Sequence, residues 1–223
     1  MCPWSSFTPQ PYNFCEAQLC GWVNQPANTF SNIGYLIVSI WIWKYPTTQR
    51  RLRQFFAFSL LALCIGSTIF HGTATVIGKM MDVSAMFIIS MGILTVAIQH
   101  YFVWPEKKLF VFYGIGLFFS LVFLFTLKFG NVLFLTEIFI AALFEYLAQR
   151  DGKNPIDKKQ FYYSLLTLAA AMGIWWLDMK KILCWPDQHY FSGHGAWHIL
   201  TAVSMGLLFK AYVTGSSTKL NFK

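Results

Sequence analysis

Apolar residues fall in seven long blocks along this chain, with short polar segments between them. The blocks run for roughly 18 to 23 residues, the length that an α-helix needs to cross the apolar core of a bilayer. This pattern predicts an all-α membrane protein, a seven-transmembrane helix bundle. The predicted helices lie at about residues 27–45, 54–71, 81–103, 109–127, 131–148, 161–178 and 193–213.

The first block is the least apolar, because four polar residues occupy its front half: Asn28, Thr29, Ser31 and Asn32. Pro26 lies just before them and suits the first position of a helix. The segment 128–131, between the fourth and fifth blocks, contains Gly130 and is typical of a tight turn. One bundle therefore accounts for residues 1–223 as a single domain, with residues 1–26 as an N-terminal arm.

Composition agrees with a membrane protein, since 56% of the residues are hydrophobic and only 12% are charged. A soluble domain carries about twice that charged fraction. The N-terminus has no basic segment and no cleavage-like site, so we expect no removable signal peptide.

The 17 basic residues are unevenly distributed over the predicted loops. Thirteen lie in one alternate set of loops and helix ends: Lys44, Arg50, Arg51, Arg53, Lys107, Lys108, Arg150, Lys153, Lys158, Lys159, Lys210, Lys219 and Lys223. The other four are Lys79, Lys128, Lys180 and Lys181. Because basic residues mark cytoplasmic loops, this bias predicts an N-terminus outside and a C-terminus in the cytoplasm. The net charge of +8 is then a topology signal, and no nucleic-acid-binding surface is needed to explain it.

Five polar residues lie near helix ends that the predicted topology brings to the same, non-cytoplasmic level. Ser67 and His71 are four apart at the end of the second block, so they share one helix face. Asp82 follows in the first turn of the third block. His194 and His198 are again four apart, at the start of the seventh block. Ionisable groups within membrane helices are costly, which makes this set a candidate functional site.

Three neutral imidazoles with one open coordination position are typical of a catalytic zinc site. Zinc lowers the pKa of bound water to about 7 and so generates hydroxide near neutral pH. Asp82 could accept the proton of that water or orient it, and Ser67 could donate to a developing oxyanion. Taken singly, each residue has an ordinary alternative. The histidine pair could hydrogen-bond a neighbouring helix, Asp82 could stabilise a helix N-terminus, and Ser67 could bond to its own helix.

The remaining polar residues carry less information. We expect His100 to be an interfacial residue at the cytoplasmic end of the third helix, and His189 to be exposed in an outer loop. Glu137 faces either the cavity or a polar neighbour. Cys64 is expected to be a buried thiol.

Four segments resemble the alkaline ceramidases and their wider superfamily of membrane hydrolases. The family's S-x3-H-x10-D signature is similar to GSTIFHGTATVIGKMMD, residues 66–82. Its H-x-W-W-H-I-L-T segment is similar to GHGAWHILTA, which differs at Gly195 and Ala196. Two further matches are NFCEAQLCGWVNQPANTFSN and WWLDMKKILC, similar to D-W-C-E…E-F-x-N-T-x-S-N and W-x-I-D…F-C.

The resemblance implies a seven-helix fold with zinc near the non-cytoplasmic face. By matching position, His71, His194 and His198 would bind the zinc ion. Asp82 would act on the zinc-bound water, and Ser67 would support the tetrahedral intermediate. The family's reaction is hydrolysis of the amide bond of ceramide, which gives a sphingoid base and a fatty acid.

The resemblance also implies a disulfide between Cys15 and Cys184, which would tether the arm to the loop before the last helix. Both residues lie outside in the predicted topology, where a disulfide can persist. Cys2 and Cys20 are outside as well, so the residues alone leave the pairing open.

Eukaryotic members of the family bind calcium through acidic and amide side chains of the arm. The corresponding positions here are Asn13, Glu16, Gln18 and Gln25, with Glu16 as the one carboxylate. Since calcium prefers several charged oxygens, we expect this site to be weak or absent and the arm to be held by direct hydrogen bonds. The arm is also shorter than the family's usual spacing, which leaves the substrate preference open.

These observations favour a zinc-dependent amidase that hydrolyses ceramide-like lipids within the membrane. One alternative is hydrolysis of another membrane lipid, such as an ester or a different N-acyl lipid. A second is a seven-helix receptor of the progestin and adipoQ type, whose zinc site is similar. The inverted topology of those receptors disagrees with the charge bias.

The expected partner is a membrane lipid, and neither a nucleic acid nor a protein partner is indicated. The expected location is a bacterial inner membrane, or a eukaryotic ER, Golgi or plasma membrane, with the site toward the non-cytoplasmic face. The lack of an N-x-S/T sequon favours the bacterial membrane.

Overall fold

The structure is a computed structural model and describes residues 2–10, 13–127 and 130–215, without the side chains of residues 125–127, 130 and 131. Part of the predicted turn at 128–131, and with it Lys128, lies outside the described residues. So do Lys219 and Lys223, which belong to the predicted charge distribution.

Eight α-helices make up the regular structure of these residues. They are α1 (Pro26–Phe30), α2 (Ile33–Lys44), α3 (Arg50–Thr73), α4 (Val76–Phe102), α5 (Glu106–Leu127), α6 (Gly130–Arg150), α7 (Lys158–Met179) and α8 (Gly193–Thr214). An isolated β-bridge joins Pro9 to Thr75. The all-α prediction is confirmed, and every predicted block contains helix.

The first predicted helix is wrong in one respect, because the chain forms two helices there, α1 and α2. Ser31 and Asn32 make the turn between them. The Ser31 hydroxyl donates to the Asn28 carbonyl at 2.8 Å, and the Asn32 amide donates to the carbonyls of Asn28 and Thr29. These side chains take carbonyl groups that a continuous helix would use, so α1 ends after five residues.

Among the described residues, five helices are long and apolar enough to cross a membrane: α3, α4, α5, α6 and α8. The chain is therefore membrane-embedded. α2 has only 12 residues. α7 has 22 residues, but lysines at its start and tyrosine and tryptophan residues along it lower its mean hydropathy. The total of seven spans and the orientation of the termini stay predictions.

The helices differ in how deeply they are buried. α4 packs against α3, α5 and α6, while α8 packs against α7, α2 and α1. In the most apolar stretches of α3, α4 and α8, 56%, 67% and 56% of the residues are buried, against 17% and 22% in α5 and α6. α5 and α6 therefore turn most of their surface outward. Lipid is as apolar as these side chains, so it covers them without cost.

α3 and α4 approach each other closely at two glycines. A Cβ added at Gly66 would lie 2.8 Å from the carbonyl oxygen of Met81, and one added at Gly78 would lie 2.8 Å from the main chain of α3. Small residues at such contacts let two helix backbones pack together. The contact brings the last turns of α3 beside the first turns of α4.

Two polar clusters lie inside the bundle. Glu137 pairs with polar neighbours, accepting from Ser90 at 2.5 Å and from Ser120 at 2.6 Å. His100 is fully buried, with its Nδ1 atom 2.8 Å from the Glu145 carboxylate, so the prediction of an interfacial residue is wrong. The physical reason is that a histidine this deep requires a polar partner, and the carboxylate of α6 supplies it.

We expect Gly66→Ala to destabilise the bundle by about 1–3 kcal/mol, because the added methyl group would meet the Met81 main chain and push α3 away from α4. Gly114→Ala on α5 is the matched control, since a Cβ there has nothing within 4 Å. The measurement is the thermal unfolding midpoint of each purified variant in detergent. Equal midpoints for the two variants would contradict the close contact of α3 and α4.

Candidate metal centre

Three histidines from two helices meet at one point. His71 lies in the last turn of α3, and His194 and His198 lie in the first turns of α8. The Nε2 atoms of His194 and His71 are 3.2 Å apart, and one ligand nitrogen from each ring lies within 4.8 Å of the other two. All three side chains are buried. The structure thus brings the predicted trio together, and the trio could hold a metal ion.

The start of α8 is fixed by Ser192 and Asp178. Ser192 is the N-cap residue and accepts from the Gly195 N–H at 2.8 Å, as is usual for a serine at this position. Asp178, at the end of α7, accepts from the His194 N–H at 3.1 Å through one oxygen and from the Cys15 N–H at 3.0 Å through the other. One carboxylate therefore joins α7, α8 and the arm, and it sets where His194 enters the site.

The end of α3 is covered by the N-terminal arm. The chain leaves α3 through Ala74, which has the left-handed conformation with φ 57°. The Asn24 N–H donates to the Gly72 carbonyl at 2.9 Å, and the Gln25 N–H donates to the His71 carbonyl at 3.1 Å. A helix end otherwise leaves such carbonyls without a partner in the helix. The arm thus holds the main chain at His71.

Asp82 and Ser67 lie beside the trio. The Ser67 hydroxyl is 3.4 Å from Nε2 of His198 and also hydrogen-bonds with the Asp82 carboxylate. Ser67 is buried, whereas Asp82 is partly exposed and lines a cavity of about 240 Å³. His194 lines the same cavity. A carboxylate, a hydroxyl and three imidazoles therefore lie together next to space that a ligand can enter.

The cavity is amphiphilic. Gln10 and Asn13 of the arm and Lys79 of α4 supply polar lining. The apolar lining comes from α4, α6 and α7: Val83, Met86, Phe134, Leu135, Met172 and Trp175. Apolar walls with a few polar groups are typical of small-molecule sites, and this mixture suits a lipid with a polar head.

Two disulfides secure the arm. Cys15 is joined to Cys184, the pair that the family resemblance implies, and Cys2 is joined to Cys20. The first connects residues 169 positions apart, so it ties the arm to the loop between α7 and α8. Cys64 on α3 is a free thiol and is partly buried, where full burial was expected.

The four arm residues that correspond to a calcium site are arranged differently. Asn13 and Gln18 are exposed. Glu16 is buried, and its two carboxylate oxygens accept N–H groups from α1 at 2.8 and 2.9 Å. His189, expected to be exposed, is partly buried with its Nδ1 atom 3.1 Å from Glu16, and the Gln25 amide bonds within the arm. This donor set does not fit calcium, which takes about six to eight oxygen ligands.

The sequence did not predict that three further residues, Gln25, Ser31 and Asp178, contact the histidines of the trio. Gln25 Oε1 lies 3.0 Å from His71 Nδ1, and Ser31 Oγ lies 2.8 Å from His198 Nδ1. The third is Asp178, which precedes two nearby lysines and so looks like a loop charge. One signal in the sequence pointed to these residues. Gln25 and Ser31 lie in NFCEAQLCGWVNQPANTFSN, and Asp178 lies in WWLDMKKILC, the two segments without histidine that resemble the family.

The donors of the trio fit a divalent ion such as zinc, which accepts three imidazole ligands. The Nδ1 atoms of His71 and His198 face oxygen atoms, so their Nε2 atoms are the ones turned to the common point. The His194 ring stacks against Phe14 and Trp197. Its buried Nδ1 atom has no hydrogen-bond partner in the described part of the chain.

Known proteins similar to this chain are ceramidases. A family model described as Ceramidase matches residues 10–220. Alkaline ceramidase 1 of Mus musculus is 27% identical over 212 residues, which cover 86% of this chain and 73% of the mouse protein. Alkaline ceramidase 1 of Homo sapiens is 25% identical over 214 residues, which cover 86% of this chain and 77% of the human protein. The family match includes all eight helices and most of the arm.

We expect Asp178→Ala to destabilise the protein, because the N–H groups of Cys15 and His194 would be buried without an acceptor, at about 1–3 kcal/mol. Asp187→Ala is the control and removes an exposed carboxylate from the loop between α7 and α8. Thermal unfolding midpoints of the purified proteins give the comparison. If both variants unfold at the same temperature, the Asp178 carboxylate does not hold α8 in place.

Proposed function

The chain belongs to the ceramidase family, and on that premise we propose that it hydrolyses the amide bond of ceramide-like lipids in the membrane. The products would be a sphingoid base and a fatty acid, and the metal would be zinc. The observation that carries the proposal is the meeting of His71, His194 and His198 beside a mostly apolar cavity, which His194 itself lines. Two relatives named alkaline ceramidase support the choice of substrate class.

The histidine trio would hold the zinc ion through one nitrogen from each ring. When bound, zinc would supply Lewis acidity toward the amide carbonyl and a water of lowered pKa. Phe14 and Trp197 stack against the His194 ring and help to hold its orientation. The rings themselves are held by the ends of α3 and α8, so their positions do not depend on a mobile loop.

Asp82 would transfer a proton during the reaction, and Ser67 would donate a hydrogen bond. The oxygen of the attacking water bonds to the amide carbon, and the Asp82 carboxylate accepts a proton from that water. Ser67, which is within reach of both Asp82 and His198, donates to the carbonyl oxygen as that oxygen gains negative charge. The carbon–nitrogen bond then breaks, and Asp82 returns its proton to the leaving amine. The hydroxyl group of the water thus ends on the fatty acid, and its other hydrogen ends on the amine of the sphingoid base.

The substrate would lie with its polar head near the arm and its acyl chain along the apolar wall. Gln10, Asn13 and Lys79 offer hydrogen bonds to hydroxyl groups of the head. Phe134 and Leu135 belong to α6, which turns most of its surface outward, so a lipid can reach the cavity from the bilayer side.

The site would lie toward the non-cytoplasmic face. The distribution of basic residues supports this orientation, as do the two disulfides of the arm, because disulfides persist in oxidising compartments. The ends of α3 and α8 that carry the histidines are on the side of the arm.

His198→Ala is expected to lose both bound zinc and ceramide hydrolysis, because one of three ligands is removed. Asp82→Asn keeps the ligands, so it should retain zinc while hydrolysis falls by about 10²- to 10⁴-fold, the usual contribution of general acid–base catalysis. The control is Glu137→Gln, which makes the same carboxyl-to-amide change at a buried residue that does not line the cavity, and it should stay active. Metal content and hydrolysis of a short-chain ceramide are measured on purified protein.

Full ceramide hydrolysis by Asp82→Asn or by His198→Ala would contradict this mechanism. The substrate assignment is checked separately with a panel of lipids and mass-spectrometric detection of products. An ester or another N-acyl lipid that is cleaved faster than ceramide would replace the proposed substrate.

A reporter enzyme that is active only in the cytoplasm, fused after the last residue, is expected to be active. A second fusion of the same reporter at the N-terminus should be inactive, because the arm lies on the opposite side. The reversed result would contradict the proposed orientation and favour the topology of the progestin and adipoQ type of receptor.

A further inference from the structure

The orientation of the Gln25 amide decides which nitrogen of His71 carries a hydrogen. Gln25 Nε2 lies 2.7 Å from the carbonyl oxygen of Glu16, which can only accept, so this end of the amide is the amino group. Oε1 then accepts from Asn28 Nδ2 at 3.2 Å and lies 3.0 Å from His71 Nδ1. Since Oε1 cannot donate, Nδ1 of His71 carries the hydrogen, and Nε2 keeps its lone pair.

The Asn28 amide agrees with this assignment. Its Oδ1 atom lies 2.5 Å from the Ser192 hydroxyl, which already accepts from the Gly195 N–H at 2.8 Å. The hydroxyl therefore uses its one hydrogen toward Asn28, which places the amide oxygen there and the amino group toward Gln25. Gln25, Asn28 and Ser192 thus agree on the direction of each bond, and the direction of the bond to His71 rests on this network.

Ser31 determines the state of His198 by a similar argument. The Ser31 hydroxyl lies 2.8 Å from the Asn28 carbonyl and 2.8 Å from Nδ1 of His198. Its one hydrogen goes to the carbonyl, because otherwise two oxygen lone pairs would face each other at that distance. Ser31 is then an acceptor, Nδ1 of His198 carries the hydrogen, and Nε2 keeps a lone pair on the side of Ser67.

The Glu16 carboxylate helps to place both acceptors, the amide oxygen of Gln25 and the hydroxyl of Ser31. Glu16 accepts from the N–H groups of Ala27 and Asn28 and so fixes the beginning of α1, directly after Gln25. Ser31 follows the last residue of α1 as its C-cap. The five-residue helix therefore connects the acceptor for one histidine to the acceptor for the other.

We propose that Gln25 and Ser31 are positioning residues, which hold His71 and His198 in the tautomer whose Nε2 lone pair faces the metal. Hydrogen bonds to the second nitrogen of a ligating histidine set its tautomer and ring orientation in this way. The inference deepens the proposed function and rests on it, because it takes the trio to bind zinc. It also gives the arm a task that needs no calcium, since the amide oxygen of Gln25 positions His71.

The test measures zinc affinity on the full purified chain, by competition with a chelator of known affinity. Ser31→Ala should weaken zinc binding about 10- to 100-fold, the usual effect of removing such a partner. Ser31→Thr keeps the hydroxyl and should bind zinc nearly as tightly as the wild type. Ser39→Ala is the matched control, because Ser39 is also buried and donates to a main-chain carbonyl, that of Ala57 at 2.7 Å, but touches no histidine.

Gln25 is tested with a second pair of variants. Gln25→Leu removes the acceptor for His71 and should weaken zinc binding to a similar extent as Ser31→Ala. Gln25→Glu keeps an oxygen toward His71, so its zinc affinity should lie above that of Gln25→Leu. Equal affinities for these two variants would mean that the acceptor is not what matters at this position.

The unfolding midpoint of metal-free protein separates an effect on the ligands from an effect on the fold. Ser31→Ala should unfold in the metal-free state near the midpoint of Ser39→Ala and gain less stability when zinc is added. A much lower metal-free midpoint, or unchanged zinc affinity, would overturn the proposal. A wild-type protein that binds no zinc would overturn it as well. A wild-type protein that binds zinc but cleaves no ceramide would contradict the proposed function and leave the roles of Gln25 and Ser31 standing.

Discussion

Polar groups inside a membrane-embedded bundle must find their partners within the protein, because lipid offers none. That requirement organises the site. The Glu16 carboxylate takes the first N–H groups of α1, and the Asp178 carboxylate takes N–H groups of the arm and of α8. The arm in turn supplies donors to the last carbonyls of α3. These bonds hold the ends of α3 and α8 against the arm, and the three histidines meet there.

The predictable features are those that depend on local spacing. Helix length and the four-residue separations placed His71, His194 and His198 on suitable helix faces, because a helical period can be read from neighbouring residues. The break after α1 and the contacts of Asp178 depend on partners that are distant in sequence, or on side chains that compete with the main chain. No periodicity reports such contacts. For that reason the sequence predicted neither the break after α1 nor the contacts of Asp178.

Ionisable residues inside the bundle serve two different purposes. His100 Nδ1 pairs with Glu145, and Glu137 accepts from two serines, so these groups connect helices within the bundle. Asp82 and His194 line a cavity of about 240 Å³, whereas Glu145 lines one of only about 30 Å³. A buried charge in a membrane protein is therefore a weak functional sign until the surrounding space is known. The cavity, more than the burial, distinguishes the candidate site from the structural clusters.

The link between Cys15 and Cys184 spans most of the chain, and it has a consequence for biosynthesis. The arm leaves the ribosome long before its partner cysteine and both histidines of α8. A nascent chain therefore cannot complete the metal site, however early its first helices insert. Assembly of the site therefore waits for α8, so a product truncated before Cys184 would have an arm without this attachment and one isolated ligand from α3.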